Sequence, residues 1–367
     1  MKHGLHIAFF GSSLVSAYWN GAATYYRGII RALHDLGHTI TFYEPDAYDR
    51  QRHRDMADPA WARVVVYSAA GDEALLAALE EARTADMIVK TSGVGVFDEV
   101  LEAAVLDLKR PGKLIAFWDV DAPATLERVE QDPSDPFRAL IPRYDLILTY
   151  GGGPAVVKGY LALGARNCHP IYNAVDPTTH FRVAPDSRFE GVCGFLGHRL
   201  PDREARVEEF FLKPAAALPE QRFVLGGNAW DDKPMSPNVH YLGYVSPQAH
   251  NAFNCTLQTV LNINRAGMAR YGFSPPTRVF EAAGAGACLI TDAWEGIEVF
   301  LEPEKEVLVA ADGDAVTHYL AALQPHRARA IGDAAQQRIL AEHTYQHRAG
   351  QVQAILDGTG NGAEGRV

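Results

Sequence analysis

SPPTRVFEAAGAGACLITD, residues 274–292, is the stretch of sequence that decides the fold. It is predicted to form a helix, a tight turn of small residues and a buried strand. Ser274 is placed to cap the helix with its hydroxyl, and Pro275 to occupy the first turn, where a missing N–H costs nothing. Gly284 and Gly286 allow the tight turn, and CLITD is apolar enough for a parallel strand buried on both faces. The stretch therefore indicates a crossover in an α/β fold.

The start of this helix also carries groups that suit a phosphorylated sugar ligand. Thr277 and Arg278 lie near the positive end of the helix, and Glu281 lies about one turn further along. Free N–H groups and a guanidinium bind phosphates, while a carboxylate accepts hydrogen bonds from sugar hydroxyls. A ligand that offers both is a nucleotide or a nucleotide sugar. Taken alone, the stretch fits an ordinary α/β crossover without a ligand equally well.

The composition is that of a folded protein with two domains. The chain has 367 residues, more than one hydrophobic core usually supports, with 47% hydrophobic and 22% charged residues. Its formal net charge of −11 argues against nucleic acid and anionic membranes as main partners. No apolar run approaches the roughly 20 residues of a membrane span, and LHIAFF is too short for a signal-peptide core, so no integral membrane segment is expected. Four cysteines without paired spacing predict reduced thiols in a cytoplasmic protein: Cys168, Cys193, Cys255 and Cys288.

Strand-like and helical segments alternate in two sets along the chain. The first set is LHIAFFG, TITFYE, MIVKTS, KLIAFWD and DLILTY, with helices expected at about Ala22 to Leu36 and in EALLAALEEAR. The second set is GVCGFLG, RFVLGG, VHYLGYV, TVLNINR and ACLITD. Short apolar strands separated by helices predict a parallel, doubly wound sheet in each half. Residues 176–190 are the expected linker, 334–356 the expected final helix, and the Gly-rich 357–367 an expected disordered tail.

Neither half carries the glycine signature of a dinucleotide site. The loop after the first strand reads GSSLVSAYWNGAATYYR, and the second half opens with GFLGHRLPDRE. Neither contains G-x-G-x-x-G, whose glycines let the backbone approach a pyrophosphate. A hydride-transfer enzyme is therefore disfavoured.

Several motifs between about residues 5 and 350 resemble the two-domain GT-B glycosyltransferases: GH-T-I-T-F, YNAVDPTTHF, HYLGYVSP and FEAAGAGACLITD. Within that group the chain most resembles the spore-maturation (CgeB-like) enzymes, related to the retaining family 4 glycosyltransferases, through GHRLPDREARVEEFF, GFSPPTRVFEAAGAGACLITD and WDVDAP. The resemblance implies two Rossmann-like doubly wound domains facing across a cleft, with a C-terminal helix that crosses back to the first. It divides the chain into an acceptor-side domain (1–180), a nucleotide-sugar donor domain (187–340) and a crossing helix with a flexible tail (341–367).

The same resemblance assigns the nucleoside contacts of the donor. Glu281 takes the place of the carboxylate that binds the ribose hydroxyls. The family often has a second glutamate eight positions earlier, where this chain has Phe273, so the paired-glutamate motif is incomplete. The backbone at Tyr244 and Val245 resembles the segment that contacts the base.

The diphosphate of such donors is held by basic side chains and the start of a helix. Arg199 and Arg278 are the first choices here, and Arg203 is a weaker one because it also suits an exposed helix. Further donor contacts are expected from Thr277, His198 and Arg265. These charges would stabilise the departing diphosphate, so no metal and no other cofactor is expected.

The segment FWDVDAP, residues 117–123, holds the candidate catalytic carboxylates Asp119 and Asp121. An Asp-x-Asp after a strand resembles the metal-binding motif of the other main glycosyltransferase fold, and on a strand both carboxylates would lie on one face. The tandem Rossmann pattern argues against that interpretation. The resemblance instead implies contacts with the sugar or acceptor, with Asp121 as base if the enzyme inverts configuration. Capping of the following helix, above all by Asp121, explains the pair about as well.

The long loop after the first strand is the other candidate region. Polar, aromatic and glycine residues of this kind line clefts, and Tyr18 and Trp19 are placed to stack on a sugar. Contacts with the donor phosphate or the acceptor are expected from Gly11, Ser12, Ser13, Asn20 and Gly21. A helix capped at Asn20 explains part of the pattern equally well.

Three functions follow from these features. The first is a hexosyltransferase-type glycosyltransferase that uses UDP- or another nucleotide sugar, with retention and without metal, on an acceptor that the sequence does not identify. The second is a nucleotide-sugar 2-epimerase of the same fold. The third is a non-catalytic nucleotide-sugar-binding protein, which the phenylalanine at position 273 favours mildly.

Overall fold

The computed structural model describes residues 4–18 and 20–358. The chain forms two compact units, one up to Tyr172 together with the segment from Tyr345, and the other Asn173–Thr344. The expected divisions were at 180–187 and 340–341. Trp19 and residues 359–367 lie outside the described part of the chain, so the stacking role of Trp19 and the disordered tail stay predictions.

The first unit contains a seven-stranded parallel sheet in the order β3-β2-β1-β4-β5-β6-β7. Its strands are β1 His6–Phe10, β2 Thr39–Asp46, β3 Arg63–Ser68, β4 Met87–Thr91, β5 Leu114–Asp119, β6 Leu146–Thr149 and β7 Cys168–Pro170. Its helices are α1 Ala23–Asp35, α2 Asp72–Ala82, α3 Asp98–Ala104, α4 Ala122–Gln131, α5 Pro136–Leu140 and α6 Gly153–Ala162. The central strand β4 (MIVKT) is buried at every position, because helices cover both faces of a parallel sheet.

The second unit contains a six-stranded parallel sheet in the order β10-β9-β8-β11-β12-β13. Its strands are β8 Cys193–Leu196, β9 Phe223–Gly226, β10 Val239–Tyr241, β11 Thr259–Asn262, β12 Leu289–Asp292 and β13 Leu308–Ala310. Its helices are α7 Glu204–Val207, α8 Lys213–Ala217, α9 His250–Thr256, α10 Ala266–Tyr271, α11 Thr277–Gly284, α12 Gly313–Ala322 and α13 Pro325–Glu342. A π-helical segment, Glu208–Leu212, joins α7 to α8. Both sheets have the doubly wound order of Rossmann-like domains, as predicted.

Short 3₁₀ helices complete the secondary structure at Arg50–His53, Val105–Leu108, Ile141–Arg143, Ser187–Phe189, Pro247–Ala249 and Ile297–Val299. No helix among the described residues is both long enough and apolar enough to cross a bilayer. All four cysteines are free, as predicted.

The helix of the deciding stretch begins later than predicted. The helix α11 starts at Thr277 with Pro276 at its N-cap position, and Ser274 does not cap it. A proline disfavours the helical conformation in the residue before it. Pro276 therefore disfavours a helical Pro275, and Pro275 disfavours a helical Ser274. The chain therefore stays extended until both prolines have passed.

The last helical region also differs from the single helix predicted over 334–356. It is divided into α13 and a final helix α14, Tyr345–Leu356, because the chain leaves the helical conformation at His343. There Thr344 forms a parallel bridge with Val175, and the N–H of Val175 donates to the carbonyl of His343 at 2.9 Å. The helix α14 belongs to the first unit, which confirms the predicted return of the C-terminal helix.

Two contacts attach α14 to the first unit. The ring of Tyr345 lies against Gly28 of α1, where a Cβ atom would be only 2.2 Å from the ring. Near the other end of α14, Gln353 Oε1 lies 2.8 Å from Nε2 of His38. The returning helix thus packs closely on α1.

A buried charge cluster fixes the loop after β4. Lys90 is fully buried and forms an ion pair with Asp98, while its Nζ lies 3.9 Å from the carboxylate of Glu102. The Asp98 carboxylate also accepts from the N–H groups of Val94 and Gly95 at 3.2 and 2.7 Å. Burial raises the pKa of Glu102 to about 7, which the positive charge of Lys90 opposes.

Candidate active site

The second sheet reverses its winding direction between β8 and β11. Neighbouring connections run in opposite directions there, which opens a crevice at the carboxyl ends of the strands where ligands of such folds bind. Residues 197–203 follow β8, and residues 263–265 follow β11. The side chains of these two loops and of α11 therefore form the candidate site.

Glycine backbones bring the loops after β8 and β9 into contact. The N–H of Gly197 donates to the carbonyl of Gly226 at 2.8 Å, and the indole of Trp230 donates to the carbonyl of Gly197 at 2.8 Å. Gly227 has a φ of +126°, and a Cβ there would lie 2.1 Å from the Gly197 oxygen. At Gly197 a Cβ would lie 2.8 Å from Nη2 of Arg203, so the absent side chain lets this guanidinium lie over the backbone.

The guanidinium of Arg203 is held in place by part of its hydrogen-bonding capacity. Its Nη2 donates to the carbonyl of His198 at 2.7 Å, and its guanidinium lies 5.4 Å from the ring centre of Phe195. Its Nε is buried and has no hydrogen-bond partner in the described part of the chain. Burial, together with the positive charges of Arg278 and Arg265, lowers the pKa of Arg203 to about 10. A buried cation beside other cations is stabilised when an anion joins them.

Arg278 lies in the first turn of α11. No hydrogen bond or ion pair within 4 Å joins its guanidinium to another residue of 4–18 and 20–358. Burial lowers the pKa of Arg278, and the carboxylate of Glu281, one turn further along, opposes this shift. Arg203 and Arg278 together form a positive cluster beside a helix N-terminus, the usual setting for phosphate groups.

Two histidines accompany Glu281. Oε1 of Glu281 lies 3.9 Å from Nε2 of His180, and both side chains are mostly buried. Nε2 of His250 lies 3.3 Å from the carbonyl oxygen of Val245, in the segment expected to contact the base. Burial, followed by the positive charge of Arg278, lowers the pKa of His250, whereas Glu281 raises it. Sequence reasoning missed both histidines, although His180 lies in the quoted motif YNAVDPTTHF.

Arg199, predicted to bind the diphosphate, is engaged by carboxylates. It donates to Asp232 at 2.7 Å and to Glu204 at 2.8 Å, and the hydrogen bond with Glu204 raises the pKa of Arg199. Glu204 is also paired with Lys233 at 2.8 Å. Asp232 lies 33 residues further along the chain, so this pairing is not visible in the sequence.

The other predicted donor contacts surround the cluster in different ways. Thr277 is part-buried at the start of α11, and Val245 is buried, whereas the side chain of Tyr244 is 63% exposed. His198 is exposed, and its Nδ1 atom accepts from the N–H of Asn228 at 3.0 Å. Arg265 is exposed and donates to Asp202 at 2.5 Å.

In the first unit, Asp119 is a fully buried carboxylate at the end of β5. Its Oδ2 accepts from the hydroxyl of Tyr160, and its Oδ1 accepts from the N–H of Asp121 at 3.0 Å. Asp121 lies beyond the strand, at the N-cap position of α4, but its side chain makes no capping hydrogen bond. The two carboxylates are therefore not on one strand face, and Asp121 is the exposed member of the pair.

The predicted polar residues of the first loop bond to one another. Ser12 donates to Oδ1 of Asn20 at 3.0 Å, and Nδ2 of Asn20 donates to the carbonyl of Ser13 at 2.8 Å. Ser13 donates to the buried Glu44 at 3.0 Å. These three loop side chains are buried, and α1 begins after them with Ala22 as its N-cap, so Asn20 does not cap it.

Gly11 and Gly21 complete the predicted loop residues. Gly11 is buried, and a Cβ there would lie 2.4 Å from the ring of Phe42. Gly21 is exposed, and a Cβ there would meet nothing within 4 Å. Gly11 therefore packs against the sheet, and Gly21 faces solvent. No cluster of three or more His, Cys, Asp or Glu able to hold a metal ion occurs in the described residues of either unit.

Comparison with known proteins identifies the type of fold. Residues 203–354 match a family model described as glycosyl transferase-like. The match includes Arg203, Arg278 and Glu281. No curated protein matches the chain significantly.

Several solved structures, a glycosyltransferase among them, superimpose on almost the whole chain. HepE from Anabaena, in complex with UDP-glucose, is 14% identical with a TM-score of 0.66, covering 96% of this chain and 100% of HepE. Sucrose-phosphate synthase from Thermosynechococcus elongatus is 14% identical with a TM-score of 0.68, covering 96% and 98%. AviGT4, a glycosyltransferase involved in avilamycin A biosynthesis, is 16% identical with a TM-score of 0.60, covering 96% and 98%. The protein therefore has the GT-B fold, and its residues 203–354 carry a glycosyltransferase-like sequence.

Proposed function

We propose that this protein is a glycosyltransferase that moves a sugar from a nucleoside-diphosphate sugar, with a UDP-sugar as the first candidate, to an acceptor. One observation carries the proposal. Arg203 and Arg278, two part-buried cations with no carboxylate ion pair among the described residues, lie beside Glu281 at the switch point of the second sheet. The UDP-glucose complex of HepE, a protein of the same fold, supports the choice of a UDP-sugar.

In the proposed site, different residues bind the diphosphate, the ribose and the base of the donor. The two arginines and the first N–H groups of α11 bind the diphosphate, and Glu281 accepts hydrogen bonds from the ribose hydroxyls. The base lies by Val245, whose carbonyl is next to His250. Arg199, held by Asp232 and Glu204, fixes the loop after β8 around these groups.

The reaction needs stabilisation of a departing anion. The bond between the anomeric carbon and the diphosphate oxygen breaks, and its electron pair leaves with the diphosphate. An acceptor oxygen forms the new bond to that carbon and gives up its proton to the released diphosphate. A well-placed hydrogen-bond donor to a developing anion lowers a barrier by about 3 kcal/mol, so two arginines and a helix N-terminus suffice without a metal.

The finer parts of the proposal rest on the sequence resemblance. They are a hexosyl donor, retention of configuration and membership of the spore-maturation (CgeB-like) group. Within the first unit, Asp119 has both oxygens engaged and acts by positioning Asp121, whose exposed carboxylate is the candidate for contact with sugar or acceptor. The four free thiols support a cytoplasmic location.

A donor panel tests the proposal. Purified protein is titrated by calorimetry with UDP-glucose, UDP-galactose, UDP-N-acetylglucosamine, GDP-mannose and dTDP-glucose, and each mixture is analysed for products. Binding with slow release of free sugar supports a transferase. Isomerised nucleotide sugar without hydrolysis identifies an epimerase, and binding without any turnover a non-catalytic binding protein. No binding to any member of the panel contradicts the proposal.

A further inference from the structure

Asn264 has a buried hydrogen-bond donor that no residue of the described structure satisfies. The residue follows β11 at the switch point and is 1% exposed. Its backbone N–H donates to the carboxylate of Asp292 at 3.1 and 3.2 Å, and its Oδ1 accepts from Nδ2 of Asn262 at 3.2 Å. Nδ2 of Asn264 has no partner within the described residues. These contacts fix the amide while one of its ends stays unsatisfied, which costs free energy in the unliganded protein.

The hydroxyl of Ser274 is a second buried group without a hydrogen-bond partner in the described structure. Ser274 is 4% exposed, and its Oγ has no hydrogen-bond partner among the residues that the structure describes. The backbone before it is left-handed, with a φ of +67° at Gly272 and a strained φ of +44° at Phe273. The N–H of Phe273 donates to the carbonyl of Glu295 at 2.6 Å, which holds this turn against the loop after β12. Strained backbone and an unsatisfied hydroxyl in one turn point to a ligand-binding role.

The charged residues of the site interact with one another in a series. His250 interacts electrostatically with Arg278 and Glu281, and Arg278 with Arg203. Arg203 interacts in turn with Arg265, which directly follows Asn264 in the chain. Under the proposed function, the nucleoside occupies the end at Glu281 and the diphosphate the arginines. Asn264 follows β11 at the switch point and directly precedes Arg265, so it lies at the arginine end of this series.

We propose that Nδ2 of Asn264 and the hydroxyl of Ser274 bind the sugar part of the donor. Neutral amide and hydroxyl donors suit sugar oxygens, whereas the charged phosphates are matched by the arginines. Asp292, fully buried and paired with Arg206, positions Asn264 by holding its backbone N–H. The inference rests on the proposed function and names the residues that select the sugar.

Two alanine variants and two ligands test the inference. Ser274→Ala and Asn264→Ala are titrated with the nucleotide sugar of the panel that binds the wild type most tightly and with its nucleoside diphosphate. We expect each variant to bind the nucleotide sugar at least fivefold more weakly and the nucleoside diphosphate within twofold of the wild type. Ser236→Ala is the matched control, because its hydroxyl is also buried and unsatisfied in the described structure but precedes β10.

The variants also distinguish recognition from a structural role. Removing an unsatisfied hydroxyl should leave the melting temperature of Ser274→Ala unchanged or higher, so a weaker affinity cannot come from unfolding. Equal losses for both ligands, or no loss in either variant, would overturn the inference while the proposed function stands. A wild-type protein that binds no nucleotide sugar would overturn both.

Discussion

In the second unit, Nε2 of His180 lies 3.9 Å from Oε1 of Glu281. The two residues come from the segment after Asn173 and from the second turn of α11, about a hundred positions apart. No lysine, arginine or histidine nitrogen of the described structure lies closer to this carboxylate, so its oxygens are available to a ligand. This is the arrangement that ribose hydroxyls require.

Replacing Glu281 by alanine should remove the recognition of ribose. We expect Glu281→Ala to weaken nucleoside-diphosphate binding at least tenfold, about 1.4 kcal/mol. Calorimetry with the ribonucleotide and its 2′,3′-dideoxy analogue should show that the wild type prefers the ribonucleotide and that the variant does not. Glu220→Ala, at an exposed glutamate in the same unit, is the control. A variant that keeps the full preference would remove Glu281 from the site.

Arg278 and Arg199 should contribute unequally to binding. Arg278 has no carboxylate ion pair within the described residues, whereas Arg199 is bonded to Asp232 and Glu204. We therefore expect Arg278→Ala to weaken nucleoside-diphosphate binding at least tenfold and Arg199→Ala to weaken it less. The exposed Arg188, paired with Asp186, supplies the control Arg188→Ala. Calorimetry on the three variants checks the order, and a larger loss in Arg199→Ala would reverse the two assignments.

The strands that form the interior of each sheet were predictable from sequence. Stretches such as MIVKT and LITD are apolar because neighbours cover both faces, and this burial leaves a clear pattern. The edge strands β7 and β13 were missed, since three residues paired on one side leave almost no pattern. β3 was also missed, although its three consecutive valines are a usable signal.

The site was predictable only where its residues are close in sequence. Arg278 and Glu281 follow from helical spacing on one short segment. Arg199 is a weaker phosphate-binding candidate than Arg203 because the fold brings Asp232 to Arg199. No local sequence pattern reveals such a long-range pair. The first loop shows the same limit, because its serines and asparagine bond to one another and to Glu44, and the sequence does not reveal these bonds.

The packing of α14 on the first unit depends on a glycine. A Cβ at Gly28 would lie 2.2 Å from the buried ring of Tyr345, so we expect Gly28→Ala to lower the free energy of unfolding by about 1–3 kcal/mol. Gly350 lies on α14 with nothing within 4 Å of where a Cβ would lie, and Gly350→Ala should be neutral or stabilising by up to about 1 kcal/mol. Urea unfolding of both variants measures the difference. Equal stabilities would mean that α14 does not pack closely on α1.

The buried Glu102 should make the stability of the protein depend on pH. Its pKa is about 7 in the folded protein, above the ordinary value of 4.5, so between these values the folded state binds more protons than the unfolded state. The contribution of Glu102 is therefore present below pH 4.5 and is lost as the pH rises through 7, a change of up to about 3 kcal/mol. Glu102→Gln stays neutral and should lose this dependence, so that it gains stability relative to the wild type between pH 5 and pH 8. Urea unfolding at both pH values measures the change, with Glu99→Gln, at an exposed position of α3, as the control. An unchanged pH profile in Glu102→Gln would show that Glu102 is ionised in the folded protein throughout this range.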